Sequence, residues 1–265
     1  MATTSYPVAP PNYTDNEATN APLLQPGEGE PPRQENDHVS DDFKYSTSVA
    51  ECVLSVRHAF IRKVYTILSF QLLATGLVGA LIALNPAVKT WALTNIWAFY
   101  VSLFAAIGLM IGAYVKQRSY PTNLLFLGAF TLCESYSVGV VSSLYDTNIV
   151  LQAVAITLVV FVGLSFFALQ TKYDLTSWQG YLGAALWGMI GFGLIAMFFP
   201  YNSKVELGYS IIGAIVFSGY ILVDTQLILT RYHPEDEVAA AISLYLDIIN
   251  LFLNILRILN SVQDN

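Results

Sequence analysis

From about residue 64 onward the chain alternates long apolar runs with short polar breaks. The runs cover about 64–84, 96–115, 122–144, 149–170, 180–199, 207–229 and 238–259. Each is close to the roughly 20 residues an α-helix needs to cross about 30 Å of hydrocarbon. The pattern predicts an all-α, polytopic membrane protein, a bundle of seven helices. An amphipathic stretch from Tyr45 to about Lys63 leads into the first run. Before it, residues 1–43 combine Pro, Asn, Glu, Gln and Gly with few apolar side chains. Such a segment cannot bury enough surface to offset its ordering entropy. The expected organisation is therefore a disordered, acidic, Pro-rich cytosolic tail over 1–43 and a helical bundle over 44–265.

Composition supports a membrane setting. Hydrophobic residues make up 55% of the chain and charged residues 12%, against roughly 25% charged in soluble domains, and the mean hydropathy is +0.53. The formal charge of −7 originates in the tail, where eight acids face Arg33 alone; the body keeps eleven acids and eleven bases. A neutral body offers no basic face for nucleic acid, and that class of partner is excluded. Cys52 and Cys133 lack ligand-like spacing to one another or to histidine, so neither a disulfide nor a zinc site is expected. No short basic region precedes an apolar run at the N-terminus. The first span is accordingly expected to act as an uncleaved signal.

Lysine and arginine set the expected orientation, because cytoplasmic flanks retain them. With the N-terminus inside, Arg57, Arg62, Lys63, Lys116, Arg118, Lys172 and Arg231 fall on the cytoplasmic side, against Lys89, Lys204 and Arg257 on the other. The last run carries Asp247, Asn250, Asn254 and Arg257. It reads either as a re-entrant hairpin or as a helix at the centre of the bundle. Gly108 and Gly112, and Ala184, Gly188 and Gly191, recur at helical spacing and predict close helix packing. Pro234 and the acids that follow it are expected to open the last helix.

Three carboxylates stand inside these runs: Glu134, Asp224 and Asp247. Ionisable groups in hydrocarbon are costly and point by default to ion or proton traffic. Ser243, Asp247, Asn250 and Asn254 are spaced four, three and four apart, which puts them on one stripe of a helix. At 1.5 Å per residue, Asp224 lies about 8 Å and Asp247 about 14 Å from the cytoplasmic ends of their spans, and Glu134 about 18 Å in. Tilt absorbs one turn of mismatch, so the two aspartates are expected to meet. In a low-dielectric site they cannot both ionise and share one proton. Protonated, the pair ties its two helices together. Doubly ionised, it repels or recruits a hard cation such as Ca²⁺, with Asn250 as a further oxygen donor. No resident cofactor is called for.

Val223-Asp224-Thr225-Gln226-Leu227-Ile228, then Glu235 to Glu237, then Ala241-Ile-Ser-Leu-Tyr-Leu-Asp247-Ile-Ile-Asn250-Leu-Phe resembles the transmembrane Bax inhibitor motif family, particularly its Lifeguard-like branch. Phe43-Lys-Tyr-Ser, Ile61-Arg-Lys-Val-Tyr-Thr-Ile-Leu-Ser-Phe-Gln-Leu-Leu and Phe130-Thr-Leu-Cys-Glu134-Ser extend the resemblance over roughly 42–260. It implies a bundle around a central helix, a pH-dependent calcium leak across an intracellular membrane, and suppression of cell death, with cell-death regulators as candidate partners. The endoplasmic reticulum is the first expectation for location, with Golgi, vacuole and mitochondria as alternatives. It also implies that Asp224 and Asp247 form the pH sensor and that a basic residue ending the second span, Lys116 or Arg118, engages them. The strongly basic C-terminal tail of some members is missing, since this chain ends Asn260-Ser-Val-Gln-Asp-Asn265.

Pro10-Pro11-Asn12-Tyr13 fits the PPxY ligand of WW domains, a preformed polyproline segment that loses little entropy on docking. It raises a second function, a membrane-anchored adaptor that recruits a WW-domain ubiquitin ligase. A third, intramembrane aspartyl proteolysis, is disfavoured. Asp247 follows Leu244-Tyr-Leu and Asp224 follows Ile221-Leu-Val, where such proteases present Gly-x-Gly-Asp, and no other catalytic motif is present. The expectation is a non-enzymatic protein.

Overall fold

A computed structural model describes residues 48–263 apart from Val53 and Tyr201. The acidic tail, with Pro10, Pro11 and Tyr13, lies outside the described residues. Among those residues every regular element is helical: α1 (Leu54–Leu84), α2 (Pro86–Thr94), α3 (Ile96–Val115), α4 (Thr122–Ser142), α5 (Thr147–Gln170), α6 (Gln179–Ala196), α7 (Ser203–Thr230) and α8 (Glu237–Gln263). Short 3₁₀ turns precede α1 at Val49–Glu51 and α6 at Leu175–Trp178. Seven of the helices, all but α2, are long and apolar enough to cross a membrane.

Polar residues in the breaks set the helix starts. The Asn85 Oδ1 accepts from the N–H groups of Ala87 and Val88 at 3.0 and 3.3 Å, and Pro86 occupies the first turn of α2, where its missing N–H costs nothing. Asp146 caps α5 through Asn148 N–H at 2.8 Å, and Asn202 caps α7 through Lys204 and Val205. Two boundaries differ from expectation. α1 runs unbroken from Leu54, inside the amphipathic stretch, through the first apolar run, because no breaker separates Lys63 from that run. α8 begins at Glu237, three residues past Pro234. Pro234 instead lies in a turn closed by Asp236 N–H to the His233 carbonyl at 3.0 Å.

Burial identifies the centre. In the most apolar stretch of α8, 78% of residues are buried, against 6% in the span that contains α6. α1, α3, α4, α5 and α7 all pack on α8, which is a full-length central helix rather than a re-entrant hairpin. Its core face is Leu244, Tyr245, Ile248, Leu251, Phe252 and Leu256. Outward, α1 exposes Phe70, Leu73 and Leu77, and α5 exposes Leu151, Leu158 and Val159. Surfaces this apolar suit a lipid solvent, in which helices satisfy their own backbone.

Close crossings occur where a side chain would obstruct them. A Cβ at Gly139 of α4 would stand 3.2 Å from the Gly79 Cα of α1, and one at Gly112 of α3 would meet the Phe126 ring of α4 at 2.7 Å. At Gly108, Gly188 and Gly191 no neighbouring atom comes within 4 Å of that position, so those glycines do not mark tight crossings here.

Candidate functional site

Asp224 stands six residues before the end of α7, and Asp247 ten residues after the start of α8. The two helices pack against each other. The two carboxyl groups lie close enough to interact with each other. Asp247 is 7% exposed, and its Oδ2 has no hydrogen-bond partner among the described residues. Asp224 on the facing helix is half-buried.

Three hydroxyl groups meet one helical turn from Asp247, on the side of the α7–α8 turn. The Tyr114 hydroxyl of α3 lies 3.2 Å from the Ser243 Oγ, and the Tyr232 hydroxyl lies 3.3 Å from the same oxygen. Both phenols feel the charge of Asp224, and Tyr114 also that of Asp247. Ser243 was legible as part of the polar stripe. The tyrosines were not, because tyrosine at a helix end ordinarily marks the membrane interface.

The other sequence-derived candidates divide. Asn250 and Asn254 share the stripe with Asp247, but each amide Nδ2 donates to the carbonyl four residues back, Leu246 and Asn250, at 2.8 Å. Asn254 packs on Gly213 of α7, about two helical turns along α8 from Asp247. Glu134 does not join the aspartates. Its charge reaches Tyr245 and Cys133 instead. Tyr245, two residues from Asp247, points to the opposite side of α8. There its hydroxyl meets Thr75 Oγ1 at 2.8 Å, Thr75 meets Ser135 Oγ at 2.9 Å, and Gln71 Nε2 donates to Thr131 Oγ1 at 3.1 Å. This buried network links α1, α4 and α8.

Arg118 does not reach the pair. Its Nε and Nη2 donate to the two carboxylate oxygens of Asp236 at 2.8 and 3.1 Å, and this pairing with Asp236 holds the guanidinium pKa above its ordinary value. Lys116 is exposed at the end of α3. The expected contact between a basic side chain and the pair is replaced by an ion pair on the α7–α8 turn. Lys63 to Glu237 at 3.3 Å and Arg231 to Asp174 at 3.6 Å fasten the same end of the bundle. Gln226, in the Asp224-Thr-Gln run, adds a fourth tie. Its Oε1 accepts from Leu175 N–H at 2.6 Å and its Nε2 donates to the Tyr173 carbonyl at 2.7 Å.

The family profile described as "Inhibitor of apoptosis-promoting Bax1" matches residues 57–264. Bax inhibitor 1 of Schizosaccharomyces pombe is 42% identical over 225 residues, 85% of either chain. Protein lifeguard 4 of Mus musculus is 40% identical over 225 residues, 85% of this chain and 94% of its own. The Golgi anti-apoptotic protein of Vaccinia virus is 39% identical over 221 residues, 83% of this chain and 93% of its own. The match reaches every membrane-length helix and includes both aspartates, and the chain belongs to the Bax inhibitor and Lifeguard family.

Proposed function

We propose that this protein is a pH-sensitive calcium leak channel of an intracellular membrane, gated by the Asp224–Asp247 pair, which contributes to calcium homeostasis and to suppression of cell death. The observation that supports the reading is the closeness of two carboxyl groups between α7 and the central α8, with Asp247 buried. A structural hydrogen bond needs no second acid, and two acids in hydrocarbon are expensive. With the proton in place the helices are joined. Once it leaves, repulsion between unit charges about 4 Å apart is of the order of 4 kcal/mol at an effective dielectric near 20, enough to part them or draw in a cation. Carboxylate oxygens suit Ca²⁺ as the passing ion.

The relatives' names support the biological side: one is called anti-apoptotic and placed in the Golgi, and others are called Bax inhibitors. The endoplasmic reticulum and the Golgi are the membranes proposed. The activity is transport, without a catalytic step.

Calcium efflux from vesicles containing the purified full chain tests the reading. Efflux should rise with pH as the shared proton leaves. Asp247→Asn, which cannot ionise, should lower efflux about tenfold and flatten its pH response. Wild-type protein that releases no calcium at any pH would end the channel reading and favour an adaptor built on the tail.

A further inference from the structure

Three hydroxyl groups from three separate elements meet near the aspartate pair. Ser243 lies one helical turn, about 6 Å, from Asp247 along α8, toward the α7–α8 turn. Tyr114 reaches it from the last turn of α3, its ring partly exposed at the bundle's edge and its hydroxyl directed inward at 3.2 Å. Tyr232 reaches it from the α7–α8 turn at 3.3 Å. Tyr232 is held at both ends, since its backbone carbonyl accepts from the Val49 N–H at 2.9 Å. Serine offers one proton and two lone pairs, so a single Oγ can bond both phenols at once.

The position of this triad matters more than its strength. It spans α3, α8 and the turn that joins α7 to α8, so parting α7 from α8 at the pair pulls on its bond to Tyr232. The titratable groups around it come from every neighbouring element. Asp224 and Asp247 face Tyr114; Asp224, Tyr114 and Asp236 face Tyr232; and Asp236 is itself paired with Arg118. Arg118 is thus occupied elsewhere, and neutral hydroxyls stand beside the pair on the side of the α7–α8 turn.

We propose that Tyr114, Tyr232 and Ser243 form a hydroxyl gate that positions α3 and the α7–α8 turn over the aspartate pair and admits a cation only when its two hydrogen bonds break. This inference rests on the channel reading above. The three are positioning residues: they hold the pair closed and covered, while the aspartates carry the charge.

The test uses the full-length chain in vesicles loaded with calcium, with efflux followed across a pH series for wild type, Ser243→Ala, Ser243→Thr and Tyr232→Phe. Ser243→Ala and Tyr232→Phe should each speed efflux about three- to tenfold at pH values where wild type is slow, the range supplied by one interhelical hydrogen bond. The rise in efflux should begin at lower pH, since less charge is needed to part the helices. Ser243→Thr, which restores the hydroxyl, should return efflux toward the wild-type rate. Wild-type efflux with Ser243→Ala and Ser243→Thr behaving alike, or with Ser243→Ala unchanged, overturns the gate and leaves the channel intact. No efflux from wild type overturns both. If Ser243→Ala does not fold, Tyr114→Phe and Tyr232→Phe keep the rings and remove the same two bonds: faster efflux supports the gate, and unchanged efflux overturns it.

Discussion

Gly213 and Asn254 meet where α7 packs on α8, and the Asn254 carboxamide fills the space a side chain at 213 would need. A Cβ there would stand 2.7 Å from the carboxamide carbon and 2.8 Å from its nitrogen. Gly213→Ala should therefore cost about 1–3 kcal/mol, the usual penalty for overpacking. Thermal unfolding in detergent should show a lowered midpoint. Adding Asn254→Ala should recover part of the loss, and independent effects of the two changes would rule out the contact as its source.

Gln226 ties α7 to the loop that enters α6, through bonds of 2.6 and 2.7 Å to Leu175 and Tyr173. Gln226→Ala leaves the buried Leu175 N–H without its acceptor, a loss of about 1–3 kcal/mol. Gln226→Glu keeps the acceptor and loses the donor, so it should cost less. Hydrogen exchange at Leu175 should rise in the order wild type, Gln226→Glu, Gln226→Ala; equal protection in all three would refute the tie.

Arg118 and Asp236 form a two-pronged ion pair whose side chains are 45% and 14% exposed. Solvent screening limits the coupling to about 1 kcal/mol. A double-mutant cycle of Arg118→Ala and Asp236→Ala should reveal that coupling in unfolding free energy. Coupling of Arg118 to Asp247 and not to Asp236 would restore the basic latch expected from sequence.

Asp174 accepts hydrogen bonds from the Thr176 hydroxyl and N–H, with Arg231 nearby, and these hold its carboxyl below the ordinary carboxylate range. A lowered folded value means that the carboxylate's contribution is complete above about pH 4. It is lost as pH falls through the lower folded value. Exchange protection at Thr176 should hold at neutral pH and weaken only in acid. Asp174→Asn should weaken it at neutral pH and remove most of the acid step. A protection loss centred between pH 5 and 7 would contradict the assignment.

Much of the candidate site is legible in the chain itself. Asp224 and Asp247 stand out because each interrupts an apolar run, and helical rise alone puts them within a turn of one depth. Asn254 shares their stripe, yet its role is set by Gly213, 41 positions earlier, which no local pattern connects to it. Arg118 is a reasonable partner for the pair by position. Asp236 captures it because the α7–α8 turn folds back over the end of α3, and a two-pronged carboxylate near the surface is a less costly partner than a buried acid. Of the Tyr114–Ser243–Tyr232 triad only Ser243 is marked in the sequence, by the polar stripe it shares with Asp247; the two tyrosines are ordinary in their own segments.

The seven membrane-length helices and the placing of acids within them were determined by the sequence alone, because transfer of apolar surface and backbone satisfaction in lipid act residue by residue along one segment. The centrality of α8, the closeness of Asp224 to Asp247 and the hydroxyls that meet near them were decided by tertiary structure. Those depend on how helices far apart in the chain rotate and cross, and a side chain's partner is chosen by that geometry rather than by its neighbours in sequence.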